Sequence, residues 1–243
     1  MSKNNDRELL SFSNGNAKLP KSILTVSLPA GFSCPGAHKC MARADPDTGK
    51  ISDGKHAEFR CFSASNEVIY PNVRESRWRN LRLLNQARTV EGMTDLINAS
   101  LPKLAFAVRI HVSGDFFNQD YFDAWMAVAR LRPQTKFYAY TKSLTYWAAR
   151  KSDIPANMRL VASRGGKFDH LIDEHGFPEA RVFMHPEEAE ALGVEIDHDD
   201  SLAMDPNVQV VGLLLHGTQP KGSEASATIK RLKAENVKFS YSR

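Results

Sequence analysis

FAVRIHVSGDFFNQDYFDAWMAVARLRPQTKFYAYTKS, residues 106–143, reads as strand, helix, strand. Phe106–Val112 reads as a strand, with apolar and polar residues alternating from Val108 to Ser113, and Lys136–Tyr140 reads as a second strand. Between them, Gln119–Leu131 carries Phe122, Trp125, Met126 and Ala129 at helical spacing, which gives one apolar face. A strand, a crossover helix and a second strand form the unit of a parallel sheet.

The pattern continues on both sides. Upstream, SILTVSLP (22–29) reads as a first strand, and RESRWRNLRLLNQARTVEGMTDLINASL (74–101) as helical sequence divided near Gly92. Downstream, helix Leu144–Lys151, strand Met158–Ala162, helix Phe168–Glu174 and strand Arg181–Met184 follow in turn. Then come a helical turn Pro186–Leu192, the buried strand Val208–Leu215, helix Ser226–Glu235 and a last strand Val237–Tyr241. The fold class expected is α/β, an incomplete or irregular (β/α) TIM-barrel-like domain over residues 22–243. A polar extension over 1–21 precedes it, and a long cysteine-bearing loop over 30–70 follows the first strand. The barrel is preferred to a doubly wound sheet because no Gly-rich phosphate turn follows that strand.

Composition sets the outer bounds. The 243 residues are 42% hydrophobic and 25% charged, ordinary for a globular domain. Lys and Arg number 32 against 28 Asp and Glu, a mild excess that permits nucleic-acid contact without demanding it. MSKNNDRELLSFSNGNAKLPKS has no apolar signal region, and no run of about 18 apolar residues occurs. The expectation is a cytoplasmic protein that avoids membranes, in a reducing setting where thiols stay free.

Its only cysteines, Cys34, Cys40 and Cys61, fall within 28 residues as C-x5-C-x20-C. An odd, clustered set suits metal ligation better than a disulfide framework. Three thiolates match a 4Fe-4S cluster with one iron left open or filled by another ligand. Zinc in a Cys3His site with His38 or His56 is an alternative, although the usual tight Cys knuckle is missing. Buried thiols that bind nothing are a third reading.

In a parallel barrel the reactive groups gather where strands end. That rule selects Ser113, Gly114 and Asp115, then Lys142, then Arg164, then His216, as groups lining a pocket for cofactor and substrate. Alternation along 108–113 would aim Arg109, His111 and Ser113 inward, with Val108, Ile110 and Val112 against helices. A buried Arg109 would then need a partner such as Asp115. Ser163-Arg164-Gly165-Gly166, leading into a helix, could present backbone amides to an anion, or could be a plain turn. Arg74, Arg77, Arg79, Arg82 and Arg88 with Trp78 give a diffuse basic helix, a thin argument for nucleic acid. No nucleophile elbow, P-loop, HExxH or Ser-His-Asp order is present.

The phrases SLPAGFSCPGAHKC (27–40), RCFSAS (60–65), RWRNLRLL (77–84) and residues 109–143 together resemble the phage "gene product 88" family. More distantly, the chain is similar to the radical-SAM barrel superfamily. The resemblance implies a TIM-like barrel and a 4Fe-4S cluster on Cys34, Cys40 and Cys61. It also implies an open iron at which S-adenosylmethionine could bind, with His38, His56, His111, Asp115 or solvent as other occupants. The spacing departs from the usual C-x3-C-x2-C, so cleavage of S-adenosylmethionine does not follow from it. A further cysteine group expected near the penultimate strand is replaced by VEIDHDDSLAMDPN (194–207). That acidic segment reads as a solvated loop or a weak site for a hard cation such as Mg2+.

Overall fold

A computed structural model describes residues 8–16 and 18–237. The short strand β1 (Ser13–Asn14) precedes β2 (Ile23–Ser27), and a hairpin of β3 (Ala42–Ala44) and β4 (Ile51–Asp53) follows. Helices α1 (Phe62–Ile69), α2 (Pro71–Ala87) and α3 (Val90–Ser100) lead to β5 (Ala107–Ser113). Then α4 (Gln119–Leu131), β6 (Lys136–Thr141), α5 (Leu144–Ala148), β7 (Met158–Ser163) and α6 (His170–His175) alternate. The chain continues through β8 (Glu179–Phe183), α7 (Pro186–Ala191), α8 (Ser201–Met204), β9 (Val210–Leu214) and α9 (Glu224–Ala234). The strand expected over 237–241 lies, apart from Val237, outside the described residues.

Seven strands form one sheet in the order β1-β2-β5-β6-β7-β8-β9, and every neighbouring pair except β1–β2 is parallel. The parallel strands thus follow chain order without reversal. One sheet face packs Leu24, Val26, Val108, Ile110, Phe137 and Leu160 into a large core with helices α2 to α6. Trp125, Tyr121 and Phe122 of α4 are fully buried there, each contributing about 2–3 kcal/mol of hydrophobic stabilisation. Asn118 caps α4 by accepting from the Tyr121 amide at 2.8 Å. The other face carries Ile23, Ala107, Tyr138, Val161 and Val211 against α8.

Several expectations need correction. Within the extension expected over 1–21, β1 pairs with β2, and Leu10 and Leu19 are buried. The segment taken as one long loop holds the β3–β4 hairpin and all of α1. The long helical stretch divides, as expected, near Gly92: the break is at Arg88, which takes φ 61°. Gly92 sits in the first turn of α3, where its amide bonds Thr89 and a Cβ would stand 2.4 Å from the Ala87 carbonyl. The acidic segment is no solvated loop either. Asp197 and Asp200 are buried, and Asp200 binds Lys18 at 2.6 Å, Arg109 at 2.6 Å and the Tyr138 hydroxyl at 3.0 Å. Two cations already neutralise the carboxylate that a hard metal ion would need. Asp200, not Asp115, is therefore the partner of Arg109.

Candidate metal and ligand site

The thiols come together because their loop is clamped. After β2 the chain turns at Gly31, whose amide donates to Cys34 Sγ at 3.3 Å. Beyond Cys34 the loop docks on the turn after β7: the Lys39 amide donates to the Gly165 carbonyl at 3.0 Å, and the Lys167 amide to Gly36 at 2.9 Å. Gly36 presses so closely on the loop after β6 that a Cβ would stand 2.0 Å from the Lys142 carbonyl oxygen. Gly36→Ala is expected to cost about 1–3 kcal/mol through forced displacement. Urea titration checks this; an unchanged midpoint would show that the loop yields freely. Cys61 precedes the first residue of α1 and so reaches the same place from the other side.

Cys34, Cys40 and Cys61 all line one cavity of about 180 Å3, with Ser113, Gly114, Asp115, Lys142 and His216. None of the three is in a disulfide. Of the residues selected from strand ends, only Arg164 is absent from this wall. Its side chain turns to Asp173 at 2.8 Å and to Glu179, while its carbonyl accepts from Lys142. The Gly165 and Gly166 amides donate to Asp169 at 2.8 and 2.9 Å, so the turn proposed for an anion is filled by the chain's own carboxylate. His185 meets Arg231 at the surface, away from the thiols.

Electrostatics in the cavity follow from burial. Desolvation, with Asp115 and Cys61 nearby, pushes the Cys34 thiol well up. Burial likewise raises Cys40 to about 11, against the pull of Lys142 and with the push of Cys61 and Asp115. Asp115 is raised by burial, although it accepts from Thr141 Oγ1 and from the amides of Lys142 and Phe116 at 2.6–2.8 Å. It ties the loops after β5 and β6 together. Lys142 Nζ donates to Ser163 O, Ser163 Oγ and Arg164 O at 2.6–2.8 Å, which holds its charge beside the thiols. His216 is lowered by burial and donates from Nδ1 to the Leu214 carbonyl at 3.0 Å, so Nε2 carries the lone pair.

β5 is irregular here. Val26 pairs with Ile110 but Ser27 with Ser113, which leaves two extra residues, His111 and Val112, in β5. Arg109 keeps its inward place. Val112, expected against the helices, lines the cavity, and His111 packs on Phe116 and Tyr121 with Nε2 3.0 Å from the Tyr121 hydroxyl. Burial, then Arg109, lowers His111 to about 3, so it stays neutral. Its unfolded form takes up a proton below about pH 6.5, and the folded form resists this down to about pH 3. Stability from this residue is therefore present above pH 6.5 and lost as pH falls. At pH 5 the loss is about 2 kcal/mol relative to pH 7. The difference between wild type and His111→Gln in denaturant unfolding should shift by that amount between the two pH values; a constant difference would contradict it.

His38 and His56 stack on each other at 4.8 Å, and neither lines the thiol cavity. Among the described residues, no three His, Cys, Asp or Glu side chains stand close enough to share one metal ion. The three thiols share one cavity wall without forming such a group.

The profile of the family described as Gene product 88 matches residues 2–235. The chain belongs to the gene product 88 family. Among members of this phage family, it is 28% identical over 162 residues to the "Gene 88 protein" of Mycobacterium phage L5, covering 60% of this chain and 59% of that one. The "Gene 88 protein" of Mycobacterium phage D29 is 27% identical over the same extent. The chain thus spans less than two thirds of the curated relatives it matches. No solved structure matches it. Among the described residues, no helix of this family member is long and apolar enough to cross a membrane.

Proposed function

We propose that the three thiols hold a 4Fe-4S cluster at the mouth of an incomplete (β/α) barrel. The observation that carries this reading is the convergence of Cys34, Cys40 and Cys61 on one cavity at the strand ends. Three thiolates without the tight Cys knuckle of zinc sites suit a cluster, in which each thiolate takes a different iron, better than a single zinc. The barrel is supported by parallel strands in chain order and by long helices on one sheet face. When bound, such a cluster supplies one-electron chemistry. The protein's part is then local: Gly31 donates to Cys34, and Lys142 offsets thiolate charge. S-adenosylmethionine at an open iron is the enzymatic version of this reading; a protein side chain at that iron gives a redox or sensing protein. His111 is the side chain to consider, because its buried Nδ1 has no hydrogen-bond partner. The host cytoplasm would suit either, since thiols stay reduced there.

A nucleic-acid role with a structural metal draws less support. Arg74 donates to Pro46 and Glu67 carbonyls, Arg77 is buried on Glu67, and Arg79 donates to the Leu9 carbonyl, so α2 uses these arginines internally. Anaerobic purification with iron and sulfide analysis, and EPR with and without S-adenosylmethionine, tests the proposal. About four irons per chain are expected. A spectrum altered by S-adenosylmethionine would favour the enzymatic version, and an indifferent one the closed cluster. Stoichiometric zinc without iron would overturn both.

A further inference from the structure

A second cavity, about 640 Å3, lies between the β1–β2 edge and helices α1 and α2. It meets the thiol cavity at a wall that includes Phe62, Val112 and Leu213. Its volume is within the range of small-molecule sites, about 300–1,000 Å3. Ser13, Thr25, Ser27, Asn66, Asn72 and Ser76 all line it, and none of these six side chains makes a hydrogen bond among the described residues. The backbone explains their convergence. Thr25 and Ser27 are two apart on β2 and so share a sheet face, and Ser13 of β1 is the register partner of Thr25. Asn72 and Ser76 are one turn apart on α2.

Thr25 is the innermost of the set. The residue is only 5% exposed, yet its unpartnered hydroxyl is not among the buried polar atoms sealed from solvent. Valine would fill the same strand position without an unpaired polar atom, so a hydroxyl there calls for a partner from within the cavity. The ionic groups decide what kind of partner. No Asp or Glu lines the cavity, and its three cations are engaged, Lys18 and Arg109 at Asp200 and Arg77 at Glu67. A charged ligand would lose its hydration and find only counter-ions already committed to carboxylates. We propose that this cavity binds an uncharged polyhydroxylated molecule, a sugar of one or two rings, with Thr25 bonding a hydroxyl at its inner end. Hydroxyls and carboxamides both donate and accept, as the hydroxyls of a sugar do, so lining and ligand match without charge on either side. The site is independent of what the thiols hold.

Calorimetric titration of the full chain with glucose and maltose, each beside its aldonic acid, gluconate or maltobionate, tests this without reference to metal. At least one sugar should bind below about 10 mM, and about tenfold or more tightly than its acid. Thr25→Val removes a hydroxyl that bonds nothing in the protein. It should leave the urea midpoint unchanged or raised while weakening that sugar about three- to tenfold. Ser76→Phe fills the cavity and should abolish binding; Thr25→Val carries the test alone if Ser76→Phe fails to fold. No sugar bound at about 10 mM, an acid bound as tightly as its sugar, or full affinity in Thr25→Val would each overturn the proposal.

Discussion

Cys61→Ala, purified without oxygen, should fall from about four irons per chain to less than one while remaining folded. The two parts of this expectation have separate causes. Cys61 flanks α1 but makes no side-chain cap bond, so alanine costs the helix no hydrogen bond. Cys61 packs on the small cluster of Ala30, Ala42 and Ala64, and truncation there should cost about 1 kcal/mol. On the proposed reading the cluster loses one of its three thiolate ligands. Iron content and circular dichroism measured on one sample separate the outcomes. Full iron with a native spectrum would remove Cys61 from the ligand set.

Asp200→Asn should destabilise the protein by about 3–5 kcal/mol. Asn keeps the shape and tolerates the left-handed backbone, φ 67°, that this position adopts. Only the charge is lost, and with it the carboxylate that Lys18 and Arg109 share. Burial alone would push the Asp200 carboxyl up, but Arg109 and Lys18 outweigh that and hold it below the usual range. Its stabilisation is thus present above about pH 4 and lost as pH falls further. Denaturant midpoints at neutral pH measure the effect. Arg109→Met added to Asp200→Asn should recover part of the loss, because one of the two cations that shared the carboxylate is then gone. A single variant within about 0.5 kcal/mol of wild type would show that the network is incidental.

The parts of the fold legible in the sequence were those with strong periodicity. α4 and the strands β5, β6 and β7 lie where alternation and helical spacing put them, because burial on a single apolar face leaves that imprint. α1 escaped because FSASNEVI begins directly after Cys61 with small polar residues and carries no such stripe. The β5 bulge left no trace either: His111 and Val112 alternate as an unbroken strand would, and only the pairing with β2 exposes the two extra residues. Similarly, Asp169 is an ordinary acid three residues beyond a glycine pair until its carboxylate is seen on both amides. The thiols and most strand-end residues were found together because chain order and strand order coincide. Arg77 was counted among surface cations, since nothing in RWRNLRLL marks which arginine turns inward.

The clamping of the thiol loop onto the turns after β6 and β7 bears on assembly. A ligand loop that is ordered only by its metal spends binding energy on ordering itself, and the polypeptide collapses when the metal leaves. Here the Lys39–Gly165 and Lys167–Gly36 hydrogen bonds hold the loop through backbone alone. Its conformational entropy is surrendered during folding, independently of any metal. If the thiols hold the proposed cluster, the emptied protein keeps its thiol loop in place, and oxidative loss of the inorganic core is an event that reloading can reverse.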